Sequence, residues 1–283
     1  YRGSLHLRYR PKRRNVPRHL EVSLELPLED YVLGVLVGEI STGIKGIQPA
    51  MQAQAIAARS YAVFQLRRGR AMLSSTSTDQ RFLSVDFETA AAREAVKETT
   101  GMLLRNSDEY VPAYFHADCG GSTSDGAASG FGNSPVLKHV KEAKDSDHVL
   151  LPHTWRERID AEKLDALSAK FNVGEHATGL QILERDPGGR VLQAKLTGSE
   201  GSFEIPGEEL RRLLSLPSAM IDLLGVLRDG SLIIEGRGRG HGIGLCQIGA
   251  QALAKKGKTC VEILEHYYPG ARIELLAEPI RSN

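Results

Sequence analysis

The sequence predicts an α+β protein in which short strands pack with helices, and three features favour this class. Apolar and polar residues alternate in the first 27 residues, which is the period of a strand. A helical apolar stripe begins at Leu28, and a second helix opens at Pro49. Further along, two β-rich runs flank the turn signal Asp186-Pro-Gly-Gly.

The composition is that of an ordinary globular protein. The chain has 283 residues, of which 41% are hydrophobic and 25% are charged, which suits one large domain or two small ones. The formal net charge of +1 gives no reason to expect nucleic acid as a partner. No run of 18 apolar residues occurs, so no membrane span is expected in this chain.

The N-terminal arm is basic before any acidic residue occurs. A solvated edge strand explains this, and contact with an anionic wall polymer or a membrane surface is the alternative. A removed signal peptide or a trimmed chain would both explain the start at Tyr1, and no signal or anchor is expected within the chain. The basic residues are Arg2, Arg8, Arg10, Lys12, Arg13, Arg14 and Arg18.

The apolar stripe of the first helix carries a carboxylate in an unexpected place. At 100° per residue, Glu39 lies near the middle of the apolar face. A carboxylate there is costly unless it is paired or protonated. Small residues in the second helix permit close packing, which could bring Gln52, Gln54 or Arg59 near it. The pattern leaves open a structural ion pair with Arg59 or a functional acid.

A third helix is predicted over residues 87–100, followed by a hairpin with strands at 102–105 and 110–117. The second strand runs directly into a Gly-rich polar loop that contains Cys119, and such loops commonly carry sites.

The region from 146 to 225 is interpreted as an inserted α/β lobe. It contains predicted helices over 163–171 and 208–216 and one strong hairpin signal. Residues 1–145 and 226–283 then form the core.

Glycine occupies every second position from Gly236 to Gly244, and His241 projects from the opposite face. Each glycine costs roughly 0.5–1 kcal/mol relative to Ala. Close backbone approach must therefore compensate, either to a ligand or to a packed neighbouring element. Helices are predicted after this segment, over 246–256 and 261–267.

Spacing argues against two classes of site. The third glycine of G-x-G-x-x-G falls on His241, Ile243 or Leu245 in the three registers, and no G-K-[ST] occurs, so nucleotide binding is excluded. No G-x-S-x-G occurs either. Cys119 with His116 or His241 as its base stays open as a nucleophile.

A metal site is the next candidate. His116 and Cys119 have H-x-x-C spacing, which two zinc ligands can share on a turn, and Cys246 would be a third ligand. The alternatives are a Cys119–Cys246 disulfide or two buried thiols. Cys260 lies on an apolar helical face and is predicted to be core.

A carboxylate acid/base is the remaining class. Glycosidic cleavage usually needs a protonated acid and a second carboxylate. Glu39 suits the acid because burial raises a carboxyl pKa. The second carboxylate would be Asp79, Asp118 or Asp125 on the polar loops, and the sequence distinguishes none of them.

Four ordered blocks resemble the SpoIID/LytB (stage II sporulation protein D) family. The first combines residues 28–39 with 53–62, and the middle blocks are 75–80 and 113–123. The last runs from 238 to 270. This resemblance implies a SpoIID-type core of short strands and helices, with a cleft between the Glu39 helix, the Cys119 loop and the Gly-rich segment.

The resemblance also implies a function: a peptidoglycan lytic transglycosylase, a lyase that leaves 1,6-anhydro-muramic ends and favours strands stripped of stem peptides. The family's catalytic Glu maps onto Glu39. Because the sugar's own 6-hydroxyl attacks the anomeric carbon, one Glu acts as acid and then base, and no second carboxylate is needed. Some relatives resemble modifiers that stimulate a cell-wall amidase, so a non-catalytic glycan binder is the alternative.

The expected partners are peptidoglycan glycan strands and a cell-wall amidase, at an extracytoplasmic location. No cofactor is needed for the chemistry, although a structural zinc on His116, Cys119 and Cys246 is implied by cysteine variants in the family. The family often has Met-Pro where Ile40-Ser41 stand here. The expected substrate-binding residues are Gln54, Arg59, His116, Gly120, Gly121, His241, Gly242, Gln247 and Tyr267.

Overall fold

The computed structural model describes residues 2–12, 17–142 and 153–277. The predicted α+β class is confirmed, since these residues contain seven α-helices and thirteen strands in several small sheets. Their buried apolar side chains form two separate clusters, one around the first helices and one around the region after residue 153.

The predicted N-terminal strands are confirmed as an antiparallel hairpin of β1 (Ser4–Arg10) and β2 (His19–Glu25). The register places Leu7 opposite Val22 on an apolar face that is about 60% exposed at both residues. Acidic partners neutralise part of the basic arm, since Arg2 pairs with Asp30 and Glu88. Arg13 and Arg14 lie outside the described residues.

Three helices follow: α1 (Leu28–Glu39), α2 (Gln48–Arg67) and α3 (Ala90–Glu98). Pro49 suits the first turn of α2, where a missing N–H leaves no helical bond unmade. The Ala-rich centre of α2 is fully buried, and α1 and α3 pack against it. Packing against α2 thereby fixes the position of α1, whose last residue is Glu39.

The next strands are β3 (Met102–Asn106), β4 (Glu109–Tyr110) and β5 (Phe115–His116). The prediction of one strand over 110–117 is wrong. Pro112 separates β4 from β5, because proline has no N–H to give to a ladder.

The second region begins with β6 (Thr154–Ile159) and α4 (Ala161–Lys170). It continues with β7 (Ala177–Arg185), β8 (Val191–Gly198) and β9 (Ser202–Pro206), which form one antiparallel sheet. The predicted hairpin around the Asp186 turn is therefore present, whereas β6 and β9 were not predicted.

Helix α5 (Gly207–Leu214) and the hairpin of β10 (Ile221–Val226) with β11 (Leu232–Arg237) complete this region. Because β11 also pairs with β6, the second hydrophobic cluster extends to Ile234. This cluster therefore reaches beyond residue 225, where the sequence placed the end of the lobe.

The chain then returns to the first cluster through β12 (Leu245–Cys246), α6 (Gln247–Lys255), α7 (Cys260–Tyr267) and β13 (Arg272–Leu275). Strand β12 pairs in parallel with β5, and β13 pairs with β3. Segments far apart in sequence are joined in this way. Within the part of the chain that the structure describes, none of the helices has the length and apolarity that crossing a bilayer requires.

Protein atoms occupy the space beside the alternating glycines. A Cβ built on Gly236 would lie 2.3 Å from the Trp155 ring, and one on Gly242 would lie 2.3 Å from Cζ of Arg190. The close approach predicted from the glycine spacing is therefore made to packed neighbouring elements.

Gly242→Ala is expected to destabilise the fold by roughly 3 kcal/mol or more, because φ is +82° and the new methyl overlaps the buried Arg190 guanidinium. Gly69→Ala is the matched control: φ is +86° and nothing lies within 4 Å, so only the backbone strain of about 1–2 kcal/mol applies. Urea unfolding followed by circular dichroism measures both losses. Equal losses would contradict the steric role of Arg190.

Candidate active site

Glu39 is the last residue of α1 and is half-buried. Its Oε1 accepts a hydrogen bond from the Arg81 backbone N–H at 2.6 Å, and its Oε2 accepts one from Gln247 Nε2 at 3.4 Å. Gly38 allows the Arg81 segment to cross the helix end, since a Cβ at Gly38 would lie 2.1 Å from the Arg81 carbonyl oxygen. Three distant parts of the sequence thus meet at one carboxyl group.

The environment of Glu39 favours its protonated form. Burial raises the pKa of Glu39 above its ordinary value, and the hydrogen bonds from Arg81 and Gln247 oppose that rise. The carboxyl group also lies at the negative end of the α1 dipole, which acts in the same direction as burial. A raised pKa suits a group that must donate a proton near neutral pH.

Glu39→Gln is expected to stabilise the protein at neutral pH. A raised folded-state pKa means that the native state binds the proton more tightly, so the contribution of Glu39 to stability is complete below the unfolded pKa and is lost as pH rises through the folded pKa. The variant should melt at the wild-type temperature near pH ~4 and above it near pH ~8. A difference in Tm that does not change with pH would contradict the raised pKa.

The loop of residues 74–80 holds Arg81 in place through Asp79. The Asp79 carboxylate accepts hydrogen bonds from Tyr61 Oη at 2.9 Å, the Ser74 N–H at 2.7 Å and the Arg70 guanidinium. Burial would raise the pKa of Asp79, but these hydrogen bonds lower it below its ordinary value. Asp79 is therefore a structural anchor rather than a second catalytic carboxylate.

The other two carboxylates considered from the sequence are also engaged elsewhere. Asp118 is fully buried and accepts from the Gly120 N–H and His153 Nδ1, both at 2.8 Å. Asp125 accepts from backbone N–H groups of its own loop. Among the described residues, no carboxylate shares a hydrogen bond with Glu39, which leaves a single carboxyl group at this site.

The parallel pairing of β5 with β12 places His116 beside Cys246. Together with Cys119 they offer three ligand atoms that all lie within 4.8 Å of one another. Nδ1 of His116 lies 3.2 Å from the Ile243 carbonyl oxygen, and Nε2 is buried with no hydrogen-bond partner in the described chain. An imidazole nitrogen and two sulfurs are the donors that zinc prefers, so the three residues predicted from spacing fit this metal.

Backbone N–H groups surround the two sulfurs. Cys246 Sγ accepts from the Cys119 N–H at 3.3 Å and from the Gly249 N–H at 3.4 Å, and Cys119 Sγ accepts from the Gly121 N–H at 3.4 Å. Such donors favour thiolates. The neighbouring Cys246 and burial raise the pKa of the Cys119 thiol well above its ordinary value. A bound metal ion would lower this pKa, because it stabilises the thiolate.

Tyr267 lies behind this cluster and is fully buried. Its hydroxyl donates to Glu142 Oε1 at 2.6 Å, and the Cys119 sulfur lies 3.7 Å from the same oxygen. The structure therefore places Tyr267 in a layer that supports the Cys119 loop. Glu142 was not singled out from the sequence, because only the fold shows that it faces Cys119.

Arg59 and Gln54 are both fully buried, and neither is hydrogen-bonded to Glu39. The Arg59 guanidinium pairs with Glu29 at 2.9 and 2.5 Å and donates to the Met102 carbonyl oxygen at 2.8 Å. The open question of a Glu39–Arg59 ion pair is thus settled in favour of Glu29. The Gln54 amide makes no hydrogen bond with the described residues.

His241 belongs to a ring cluster that was not predicted. Its ring centroid lies 4.9 Å from that of Phe131, 5.5 Å from that of His116 and 6.0 Å from that of Tyr114. Burial is the main reason that the pKa of His241 lies well below its ordinary value. Nδ1 of His241 accepts from the Ile243 N–H at 3.0 Å, so a neutral ring carries its proton on Nε2.

Gly120 and Gly121 both have positive φ, of +72° and +114°, and they form the turn after Cys119. Arg190, the residue before β8, reaches this turn and donates to the Cys119 carbonyl oxygen at 2.9 Å. Gly242, another predicted site residue, packs directly on the Arg190 guanidinium. The second region thereby holds the Cys119 loop in position.

The fold and the site together define an α+β protein in which the Glu39 carboxyl group accepts a hydrogen bond from Gln247, the residue after Cys246 of a His-Cys-Cys cluster. The family model described as SpoIID, Stage II sporulation protein, matches residues 18–105, and a domain of unknown function (DUF8618) matches residues 134–244. Stage II sporulation protein D of Bacillus subtilis (strain 168) is 30% identical over 271 residues, which cover 88% of this chain and 74% of that protein. The chain belongs to the SpoIID family, as the four blocks predicted.

Two further relatives extend this comparison. Stage II sporulation protein D of Bacillus amyloliquefaciens is 30% identical over 269 residues, covering 88% of this chain and 74% of that protein. A protein named amidase enhancer from Bacillus subtilis (strain 168) is 25% identical over 269 residues, covering 79% of this chain and 38% of that protein.

Proposed function

We propose that this protein is a lytic transglycosylase that cleaves the MurNAc–GlcNAc bond of denuded peptidoglycan strands outside the cytoplasm. The observation that carries the proposal is Glu39, a half-buried carboxyl group with a raised pKa and no carboxylate partner in the described chain. Hydrolysis with two carboxylates does not suit such a site. A reaction in which the sugar supplies its own nucleophile does.

In this mechanism Glu39 acts twice. The protonated carboxyl gives its proton to the leaving O4 as the glycosidic bond breaks. The resulting carboxylate then accepts the proton of the 6-hydroxyl as O6 bonds to C1, so that Glu39 is restored and no water is consumed. The Arg81 N–H and Gln247 hold both carboxyl oxygens throughout, and they stabilise the carboxylate between the two transfers.

Product identity tests this function. Denuded glycan strands digested by the full chain should yield 1,6-anhydro ends, which mass spectrometry identifies because they are one water lighter than hydrolytic ends. Hydrolytic ends would assign a glycosidase instead, and intact strands would remove the catalytic proposal.

We also propose that His116, Cys119 and Cys246 hold a zinc ion in a structural role. When bound, the ion supplies a link between the Cys119 loop and the start of α6, where Gln247 contacts Glu39. The chemistry assigned to Glu39 does not pass through it.

Chelation is expected to remove one zinc per chain and lower Tm by roughly 10 °C, because metal binding free energy is folding free energy. Cys119→Ser should lose the bound zinc in elemental analysis. Cys260→Ser is the matched control, since Cys260 is on α7 outside the cluster, and it should keep the metal. Equal zinc content in the two variants would contradict the assignment.

The amidase enhancer relative supports a second candidate function, a glycan binder that stimulates a cell-wall amidase. Such a protein binds strands without turnover and is unaffected by Glu39→Gln. An amidase assay on intact wall with and without the chain decides this: stimulation that survives Glu39→Gln, together with intact glycan strands, would favour the binder.

A further inference from the structure

A cavity of about 680 Å³ lies between the Cys119 loop and the hairpin turn that joins β7 to β8. Two segments of the chain form its walls. One wall comes from the Cys119 loop, and the other lies in the segment matched by the domain of unknown function. The side chains and turns used below are Gly120, Ser122, His139, Lys141, Gly188 and Arg237.

The walls of the cavity are fixed by buried hydrogen bonds. Asp186 accepts from the Gly188 N–H at 2.9 Å and from the Ser124 hydroxyl, which fastens the hairpin turn to the loop. Arg190 fastens the same turn to the Cys119 carbonyl oxygen at 2.9 Å. The cavity is therefore built before any ligand arrives.

Unused hydrogen-bond donors line this cavity. The Lys141 ammonium is exposed and has no ion pair or hydrogen bond with the described residues. Arg237 donates through Nε to the Gly120 carbonyl oxygen at 2.8 Å and through Nη1 to Asp222, while its Nη2 has no acceptor in the described chain. The Ser122 hydroxyl likewise has no described partner.

The charged side chains among the described lining residues are all cationic. None of the described residues that line it is an Asp or Glu, and Asp222, the acidic group paired with Arg237, lies outside that described lining. Two cationic side chains, a hydroxyl and the half-buried His139 therefore face the same space. Such a set of donors suits a carboxylate, because a hydrogen bond from Lys or Arg to a carboxylate is stronger than one to a neutral sugar hydroxyl.

The cavity is connected to Glu39 by consecutive contacts. Gly120 follows Cys119, whose N–H donates to Cys246 Sγ, and the next residue, Gln247, donates to Glu39. These contacts join the Cys119 loop, which forms one wall of the cavity, to the residue that donates to Glu39.

We propose that this cavity binds the lactyl carboxylate of a muramic acid residue from which the stem peptide has been removed. This rests on the proposed function and names the group by which the substrate is selected. In a peptide-bearing strand the lactyl group is a neutral amide, whereas stripping the peptide exposes a negative charge. The cavity thus distinguishes denuded strands from intact ones, with Lys141 and Arg237 as specificity-determining residues.

The test compares two ligands and two variants in the full chain carrying Glu39→Gln, so that binding is measured without turnover. The ligands are a denuded glycan fragment and the same fragment with its lactyl carboxylates converted to carboxamides. Titration calorimetry should show that Lys141→Gln weakens binding of the denuded fragment about fivefold to tenfold and leaves the amidated fragment unchanged. Lys138→Gln is the matched control: Lys138 is also exposed but pairs with Asp125 outside the cavity.

Equal binding of the denuded fragment by Glu39→Gln chains with and without Lys141→Gln would overturn the cavity assignment. An equal loss of affinity for both ligands would also overturn it. Absence of binding to either fragment would also overturn it. Release of anhydro ends is measured separately on chains with Glu39 intact. Lys141-dependent binding without turnover would reject the transglycosylase function and support the cavity assignment. Turnover without selection for the charged ligand would support the transglycosylase function and reject the cavity assignment.

Discussion

Glu39→Gln is expected to lower the rate of anhydro-end release from denuded strands by about 10²–10⁴-fold. The amide keeps an oxygen that can accept the Arg81 N–H, so the fold and the position of the side chain are preserved. It has no proton to give to O4 and no basicity to receive one from the 6-hydroxyl. Both halves of the reaction therefore fail, and the loss is expected in kcat rather than in KM.

Glu94→Gln is the matched control, because Glu94 is an exposed residue of α3 with the same change of charge. It should retain the wild-type rate. The pH dependence gives an independent readout: the wild-type rate should fall as pH rises through the raised pKa of Glu39, since the acid must start protonated. A Glu39→Gln chain that releases anhydro ends at the wild-type rate would remove Glu39 from the mechanism.

The sequence located Glu39 because the signal was local. A helical apolar stripe needs only the period of one element, and a carboxylate within it stands out against its immediate neighbours. The same holds for α2, for the strands of the N-terminal hairpin and for the turn at Asp186. The H-x-x-C spacing of His116 and Cys119 was equally local, and the structure brings Cys246, which was expected as a third ligand, beside them.

The partners of these residues could not be predicted, because they depend on packing between elements. Arg59 was expected near Glu39, yet it meets Glu29. The two glutamates are ten residues apart on α1, or about 15 Å along the axis, so the crossing of α1 with α2 decides which one Arg59 reaches. The Arg81 N–H gives no sequence signal at all, since every residue except proline has one.

The alternating glycines from Gly236 to Gly244 show a third limit on prediction from sequence. Alternate glycines do indicate close approach, but they do not identify what approaches. Here the neighbour of Gly242 is Arg190. Arg190 is distant in sequence from both Gly242 and Cys119, so only the folded chain brings them together. The parallel pairing of β5 with β12 is likewise non-local, and it assembles the His-Cys-Cys cluster.

Arg59→Met is expected to destabilise the protein by about 3 kcal/mol, which is the lower end of the range for breaking a buried ion pair. The lower end applies because the Glu29 side chain is 33% exposed to solvent, although the Arg59 side chain is fully buried. The substitution leaves a carboxylate without its cation and the Met102 carbonyl oxygen without its donor. Arg68→Met is the control on an exposed arginine just beyond α2, and it should cost less than about 0.5 kcal/mol.

The double variant Arg59→Met with Glu29→Gln separates the ion pair from a catalytic role. If the loss comes from a stranded carboxylate, neutralising Glu29 should recover about 1–2 kcal/mol of it in urea unfolding. The rate per folded molecule should stay at the wild-type value in both variants, because Arg59 does not contact Glu39. A fall in kcat that persists in the folded double variant would instead indicate that Arg59 contacts the substrate. Recovery of stability cannot restore such a contact.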